Sequence, residues 1–179
     1  MFLKEVIHNF RTIWSVSPSS SYLVKKMVCP IPIIKKQNII EFGAGTGIIT
    51  RAIIDRCCLW SKLWSFEMQD GFIGRLNGLQ HDNMDVHIIH DNALHFENYI
   101  GTQHIDYIIS GLPLTFMRLR DKKNLLARCS RILGTHGVFI QFQYSFHDRQ
   151  LIESYFTSVD ITTIVRNIPP AFVYVCKNI

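Results

Sequence analysis

The chain has 179 residues, of which 47% are apolar and 18% are charged. This size and composition are typical of one folded domain and exclude a disordered chain. The five cysteines form no C-x-x-C pair, so neither a disulfide framework nor a zinc knuckle is indicated, and a reducing cytoplasm is expected. No run of eighteen apolar residues is present, so we expect neither a membrane-spanning helix nor a signal peptide.

The formal net charge of +5 is concentrated near the start of the chain. Residues 1–40 contain six basic side chains against Glu5 alone, whereas the other 139 residues hold thirteen basic and thirteen acidic side chains. A basic arm on a neutral body predicts an anionic partner, either a membrane surface or a nucleic acid. The alternative is a merely solvated basic face.

Apolar residues recur at spacings of three and four over the first fourteen positions, including Phe10 and Trp14, which predicts an amphipathic helix. Pro18 interrupts this pattern, and Ser19 and Ser20 stand before a second apolar period as candidate N-caps. We therefore expect a helical arm or lid over residues 1–36. The main domain is expected to occupy residues 37–179.

From residue 38 onward, short β-rich runs alternate with helical stretches. This rhythm predicts a mostly parallel α/β sheet with helices on both faces. Two final runs, at 161–165 and 172–175, predict an antiparallel hairpin and hence a seven-stranded sheet whose last strand is antiparallel. The five parallel strands are predicted at Asn38–Phe42, Lys62–Phe66, Val86–His90, Ile105–Ser110 and Val138–Tyr144, and helices at about 47–56, 121–133 and 149–156.

A glycine-rich loop lies where the first strand turns into a helix, with Gly43, Gly45 and Gly47. Glycines at such a turn let the backbone approach a ligand, next to the amides of a helix N-terminus. Glu67 follows at the end of the second strand, where a carboxylate can accept both ribose hydroxyls of a nucleoside. Asp91 follows the third strand at the same edge of the sheet, and its carboxylate can accept from an adenine amino group.

Glu41 directly precedes this loop, and we expect it to face a positively charged group of the cofactor. The resulting pattern E-x-G-x-G-x-G resembles the Rossmann-like class I methyltransferases. That resemblance implies S-adenosylmethionine as cofactor and S-adenosylhomocysteine as product. The expected cofactor-binding residues are Glu41, Gly43, Ala44, Gly45, Gly47, Glu67, Met68, Asp91, Asn92, Ala93 and Ser110.

We expect no metal ion. His87 and His90 are three residues apart on a predicted strand, so their side chains point to opposite faces. Glycines at 71, 74 and 78 dilute the helix expected after the second strand, which makes the adenine side of the site harder to predict.

Four further strings resemble the bacterial phospholipid N-methyltransferases, which are themselves similar to the ribosomal RNA adenine dimethyltransferases. They extend from one end of the chain to the other. The two most specific lie after the fourth strand and near the end of the chain. The strings are Pro18-Ser19-Ser20, Ile109-Ser110-Gly111-Leu112-Pro113-Leu114, Gln141-Phe142 and Asn167-Ile168-Pro169-Pro170-Ala171.

This resemblance implies methyl transfer to the amine of phosphatidylethanolamine by an enzyme peripheral to the cytoplasmic, inner face of a membrane. The N-terminal helix is expected to lie on anionic lipid and to close over the cofactor. It can equally pack on the body of the protein. The residues expected to meet substrate or membrane are Phe10, Trp14, Ser19, Ser20 and Tyr22.

The resemblance also implies that the loop after the fourth strand holds the acceptor nitrogen. In related adenine methyltransferases the corresponding loop is Asn/Asp-x-Pro-aromatic, whereas here serine replaces the amide and Leu114 offers no aromatic face. Base methylation is therefore the second candidate, and a non-catalytic protein that binds S-adenosylmethionine is the third. The proton acceptor, the number of methylations and the oligomeric state stay open. The expected catalytic residues are Ser110, Gly111, Leu112 and Pro113.

Overall fold

The computed structural model of the protein describes residues 20–79 and 84–178. The predicted amphipathic segment, with Phe10, Trp14 and Ser19, lies outside these residues. Within them, strands alternate with helices along the chain. The strands are β1 (Asn38–Phe42), β2 (Lys62–Glu67), β3 (Asp85–His90), β4 (Tyr107–Ser110), β5 (Val138–Gln143), β6 (Ser158–Ile164) and β7 (Ala171–Lys177).

The helices separate the strands, and two short 3-10 helices, at Ala93–His95 and Leu114–Phe116, follow β3 and β4. None of the helices in the two described ranges is both long and apolar enough to cross a bilayer. Ser20 caps the first helix as predicted, since its hydroxyl accepts a hydrogen bond from the Leu23 amide at 3.3 Å. The helices are α1 (Ser21–Val28), α2 (Ile48–Arg56), α3 (Asp70–Asn77), α4 (Glu97–Ile100), α5 (Leu119–Leu133) and α6 (Arg149–Glu153).

The strands form one sheet in the order β3-β2-β1-β4-β5-β7-β6. β1 to β5 pair in parallel, whereas β7 runs antiparallel to both β5 and β6. The predicted α/β sheet with an antiparallel last strand is therefore confirmed. The chain winds outward from β1 to β3 and then crosses back to β4, so the strand order reverses between β1 and β4. Open α/β sheets bind ligands beyond the carboxyl ends of the strands at such a reversal.

Helices cover both faces of the sheet, as predicted, and an apolar core forms on each face. Each fully buried leucine or isoleucine stabilises the fold by about 2 kcal/mol relative to an exposed one. On one face α1, α2 and α3 contribute Leu23, Ile53 and Leu76. On the other face α4, α5 and α6 contribute Ile100, Leu125 and Ile152.

Element boundaries differ from the sequence prediction by up to three residues, and β6, for example, begins at Ser158 instead of residue 161. β4 begins two residues later, at Tyr107. The Asp106 amide donates to the Asn38 carbonyl at 2.9 Å, and the Asp106 carboxylate accepts the Asn38 amide at 2.8 Å. α6 ends three residues earlier than predicted because the chain turns inward there. This turn brings Phe156 onto Phe139, with 5.3 Å between the ring centroids.

The glycine-rich stretch after β2 forms α3, and this helix generates a stability prediction. Gly74 lies inside α3, and a Cβ built on it meets no atom within 4 Å apart from the nearby helix backbone. We expect Gly74→Ala to raise the free energy of unfolding by about 0.5–1 kcal/mol, because glycine is unfavourable inside a helix. Urea denaturation measures this change.

Gly47→Ala provides the contrasting variant. Gly47 has a φ of 82°, and a Cβ there would lie 2.6 Å from Cδ1 of Leu79, so this variant is expected to lose stability. If Gly74→Ala were no more stable than the wild type, the helical assignment of the stretch after β2 would be wrong.

Candidate active site

The loop at residues 43–47 connects the carboxyl end of β1 to α2. Gly43, Gly45 and Gly47 have φ angles of 76°, 57° and 82°, a region that glycine adopts without strain. The amides of Gly43 and Ala44 donate to the Phe66 carbonyl of β2, at 2.8 and 3.1 Å. The loop is thus fastened where β1 and β2 end. A ligand placed there would meet backbone atoms and the first amides of α2.

The Glu67 carboxylate at the end of β2 binds this loop directly. Its Oε2 accepts a hydrogen bond from the Gly45 amide at 2.7 Å, and its Oε1 accepts from the amides of Met68 and Gln69 at 2.9 and 3.0 Å. The side chain is buried. The structure therefore brings together the predicted acid and the predicted glycine loop, although they are more than twenty residues apart in the chain.

Glu41 lies in the penultimate position of β1, below the glycine loop, and is only 1% exposed. One carboxylate oxygen accepts hydrogen bonds from the hydroxyls of Thr50 in α2 and Ser65 in β2, at 2.7 and 2.6 Å. The other oxygen finds no hydrogen-bond partner among the described residues. Burial raises the pKa of Glu41 to about 7, helped by the charge of Glu67 and opposed by the two hydroxyl hydrogen bonds.

This raised pKa predicts how stability depends on pH. Between about pH 4.5 and 7 the folded protein holds a proton on Glu41 that the unfolded chain has released, so the free energy of unfolding falls as pH rises. The loss attributable to Glu41 is on the order of 3 kcal/mol. We expect Glu41→Gln to remove that part of the pH dependence, measured by urea denaturation at about pH 5 and pH 7 without cofactor. Equal pH slopes for both proteins would contradict the assignment.

Asp91 follows β3 at the same edge of the sheet. Its carboxylate accepts from the Asn92 amide at 2.6 Å and the Tyr99 hydroxyl at 2.8 Å, and it pairs with His95 Nδ1 at 2.9 Å. Burial acts to raise the pKa of Asp91, but the hydrogen bonds from His95 and Tyr99 outweigh it and hold the pKa below its usual range. Asn92 caps the following 3-10 helix, which begins at the buried Ala93.

The predicted acceptor loop begins at Ser110, the last residue of β4, which is fully buried. Its hydroxyl accepts from the Leu112 amide at 3.3 Å. The Gly111 amide donates to the Phe42 carbonyl at 2.8 Å, and a Cβ on Gly111 would lie 3.1 Å from the Gly43 carbonyl oxygen. Glycine at position 111 therefore allows the acceptor loop to lie against the cofactor loop.

Gln141 of β5 holds the acceptor loop, a role that the sequence analysis did not assign. Its buried side-chain amide donates to the Leu112 carbonyl at 2.9 Å and to the Phe142 carbonyl at 2.7 Å. The Leu112 carbonyl also accepts from the Leu114 amide at 2.9 Å. The loop therefore contains a hydrogen bond within its own backbone. Leu114, which follows Pro113, is fully buried.

A buried ion pair joins the segment after the acceptor loop to the loop after β5, and sequence reasoning missed it. Lys122 and Asp148 are 5% and 4% exposed, and their charged groups are in contact. The Thr115 hydroxyl donates to the second Asp148 oxygen at 3.2 Å. The sequence could have indicated that Lys122 is buried, because Lys122 lies on the same face of the helix as the apolar Leu125 and Leu126.

This ion pair supports a double-mutant prediction. We expect Lys122→Met to lower the free energy of unfolding by about 3–5 kcal/mol, because it leaves the Asp148 charge buried without its partner. Adding Asp148→Leu should restore much of this loss, since no buried charge then remains unpaired. Urea denaturation of the two single variants and the double variant measures the coupling. Strictly additive losses would show that the two side chains do not stabilise each other.

The two strings at opposite ends of the chain meet in space. The buried Asn167 side chain accepts from the Ser20 amide at 2.9 Å and donates to the Pro169 carbonyl at 2.7 Å. Arg166 donates to the Tyr22 hydroxyl at 2.8 Å and lies over the Tyr22 ring. Ser20 and Tyr22 therefore lie beside the turn between β6 and β7.

The fold and the loops at its carboxyl edge define a Rossmann-like, S-adenosylmethionine-dependent methyltransferase. The residues present fit this cofactor. Gly43 and Gly111 allow the two loops to lie against each other, and the oxygen of the buried Glu41 that has no partner among the described residues suits a cation.

Comparison with known proteins identifies the family. Residues 19–130 match the ribosomal RNA adenine dimethylase family, and the chain belongs to it. Over 183 aligned residues the chain is 25% identical to an ornithine lipid N-methyltransferase of Singulisphaera acidiphila, which covers 100% of this chain and 95% of that protein. The predicted resemblance to class I methyltransferases related to the adenine dimethylases is confirmed.

Solved structures agree on the fold. A precorrin-6Y C5,15-methyltransferase of Geobacter metallireducens matches with a TM-score of 0.71 and 9% identity, covering 90% of each chain. A 16S rRNA N2 G1207 methyltransferase of T. thermophilus, in complex with AdoMet and guanosine, matches with a TM-score of 0.69 and 14% identity. The match covers 91% of this chain and 44% of that one.

Proposed function

We propose that the protein transfers methyl groups from S-adenosylmethionine to the amine of phosphatidylethanolamine or a related lipid at a membrane surface. The observation that carries this proposal is the likeness to an ornithine lipid N-methyltransferase, which extends over the whole chain and nearly the whole of that enzyme. That enzyme's name describes methylation of a lipid, and an amine-bearing phospholipid offers comparable chemistry.

The acceptor loop supports a lipid amine over a nucleic-acid base. Counted back from Pro113 and Leu114, the amide position of the four-residue motif falls on Gly111, which has no side chain, rather than on Ser110 as expected. The hydroxyl of the neighbouring Ser110 is buried and already accepts the Leu112 amide. Leu114 is fully buried and is aliphatic, so it supplies no exposed ring on which a flipped base could stack. A compact primary amine needs neither a planar hydrogen-bonding edge nor a stacking partner.

The residues that we assign to cofactor binding lie at this same carboxyl edge of the sheet. We assign the methionine part of the cofactor to the backbone of loop 43–47, with Glu41 facing its positive charge. Glu67 would accept the ribose hydroxyls beside Met68, exchanging one of its present amide contacts for them. Asp91 to Ala93 would meet the adenine, with the Asp91 rotamer held by His95 and Tyr99.

The cofactor supplies a methyl group on a sulfonium, which makes direct transfer to a neutral amine possible. The protein's part is to orient the amine in line with that methyl group and to exclude water. Ser110 to Pro113 form the wall of the site on the acceptor side. Burial raises the pKa of Tyr144, despite its hydrogen bond with Asn167, so its phenol stays protonated near neutral pH and is not the base. The ammonium releases its proton, to water or to a base, before the neutral amine attacks.

Residues 1–36 would act as the arm or lid of this site, in front of the catalytic domain at 37–179. We place the enzyme in the cytoplasm, peripheral to the inner face of the membrane, since the basic N-terminal region favours anionic lipid. A second candidate is methylation of ribosomal RNA adenine, which the description of the matched family favours. A third is binding of the cofactor without catalysis.

The decisive experiment offers the purified protein methyl-labelled S-adenosylmethionine with two acceptors in parallel. One is vesicles of phosphatidylethanolamine and phosphatidylglycerol, and the other is unmodified ribosomal RNA. We expect label in the lipid. Label in RNA alone would overturn the lipid assignment in favour of the second candidate, and bound cofactor without any labelled product would support the third.

Glu67→Gln is the matched cofactor variant, because it keeps the size of the side chain and removes its charge. We expect it to weaken S-adenosylmethionine binding by about tenfold or more, since hydrogen bonds to a charged acceptor contribute about 1.5–3 kcal/mol. Isothermal titration calorimetry measures this. Unchanged affinity would refute the ribose role of Glu67 and leave the acceptor assignment untouched.

A further inference from the structure

The turn between β6 and β7 lies at the same edge of the sheet as the site. β7 pairs antiparallel with β5, with Phe172 opposite Gln143, so β7 begins where β5 ends. β6 ends opposite Ala171. Residues 165–170 therefore lie beyond the carboxyl ends of the parallel strands, on the edge that carries the cofactor and acceptor loops.

This edge exposes a set of large apolar side chains on three neighbouring segments, which we call the apolar rim. Val165 and Ile168 in the turn are 72% and 80% exposed. The other members stand on the loop after β5 and on the segment that follows the acceptor loop. The apolar rim consists of Phe116, Leu119, Phe146, Val165 and Ile168.

Side-chain contacts hold the three segments of the apolar rim together. The ring of Phe146 packs on Phe172, next to the turn, with 3.9 Å between the centroids. Thr115, beside Phe116, bonds Asp148, two residues after Phe146. The rim is thus one surface built on packed contacts and on a buried ion pair.

The charges around the rim are positive. Asp121 pairs with Arg118, Asp148 with Lys122 and Glu153 with Arg149. Arg120, next to Leu119, and Arg166, in the β6–β7 turn, have no acidic partner among the described residues. An apolar surface bordered by unneutralised arginines is complementary to a bilayer with anionic headgroups.

We propose that the apolar rim inserts into the interface of an anionic lipid bilayer and presents the acceptor loop to lipid headgroups. This proposal rests on the proposed function, because a lipid amine that stays in the bilayer must be reached by the edge that holds the methyl group. Nucleic acid fits the rim less well. Single-stranded bases stack on aromatic rings. The rim contains Phe116 and Phe146, but its three most exposed members, Ile168, Val165 and Leu119, are aliphatic.

The test is the double variant Val165→Ser/Ile168→Ser of the full chain. Both side chains are largely exposed, so the thermal midpoint and the S-adenosylmethionine affinity should not change. We expect about tenfold weaker sedimentation with vesicles of phosphatidylethanolamine and phosphatidylglycerol, because apolar groups leave the lipid interface. The KM for vesicle lipid should rise by a similar factor while kcat stays the same.

The matched control is Ile34→Ser/Leu59→Ser. Ile34 and Leu59 are also exposed aliphatic residues, at 94% and 56%, but they precede β1 and β2 and lie at the opposite edge of the sheet. This control should bind vesicles like the wild type. Arg120→Gln should weaken binding to phosphatidylglycerol vesicles and reduce its salt dependence.

The outcomes separate this proposal from the function itself. If lipid is labelled and the rim variant binds and methylates vesicles like the wild type, the proposed role of the rim is refuted and the proposed lipid methylation is supported. If only the opposite-edge control loses vesicle binding, the rim is likewise refuted. If the rim variant loses binding to ribosomal RNA but not to vesicles, the partner is nucleic acid. Loss of vesicle binding in the rim variant alone supports the proposal even if the methylated acceptor proves to be another molecule.

Discussion

The hydrogen bond between the Glu67 carboxylate and the Gly45 amide is the interaction on which the site depends. It is short, at 2.7 Å, and it is buried, so it is a strong charge-assisted contact. It joins the ends of β1 and β2, next to the point between β1 and β4 where the strand order of the sheet reverses. The loop can adopt its left-handed conformations because glycines occupy those positions, and the carboxylate accepts one of its amides.

Glu67 and Glu41, the two glutamates on the cofactor side, have different hydrogen-bond partners because they lie in different surroundings. Glu67 accepts hydrogen bonds from the backbone amides of Gly45, Met68 and Gln69. Glu41 lies deeper between β1, β2 and α2, where two hydroxyls satisfy one oxygen and burial raises its pKa to about 7. A cation placed against the second oxygen of Glu41 would favour ionisation of that side chain. Cofactor binding and the protonation of Glu41 are therefore expected to be linked.

The acceptor side is held by buried polar side chains rather than by apolar packing alone. Gln141 ties the acceptor loop to β5, the Lys122–Asp148 pair joins the next segment to the loop after β5, and Asn167 joins the β6–β7 turn to α1. Each of these contacts links segments that are far apart in the chain. Together they hold the acceptor loop, the loop after β5 and the β6–β7 turn in place at the carboxyl edge of the sheet.

The sequence by itself determined the fold and the cofactor loop. The alternation of β-rich and helical runs predicted the parallel strands within about two residues, because that alternation is a local pattern. The positions of Gly43 to Gly47 and of Glu67, each at the end of a predicted strand, predicted which segments would meet. Only the tertiary structure decided which side chains hold the acceptor side. The contacts of Gln141 with Leu112 and of Asn167 with Ser20 span 29 and 147 residues, and no local period encodes such pairings. The exposure of Val165 and Ile168 was equally hidden, because burial is a property of the packed sheet and not of the residues themselves.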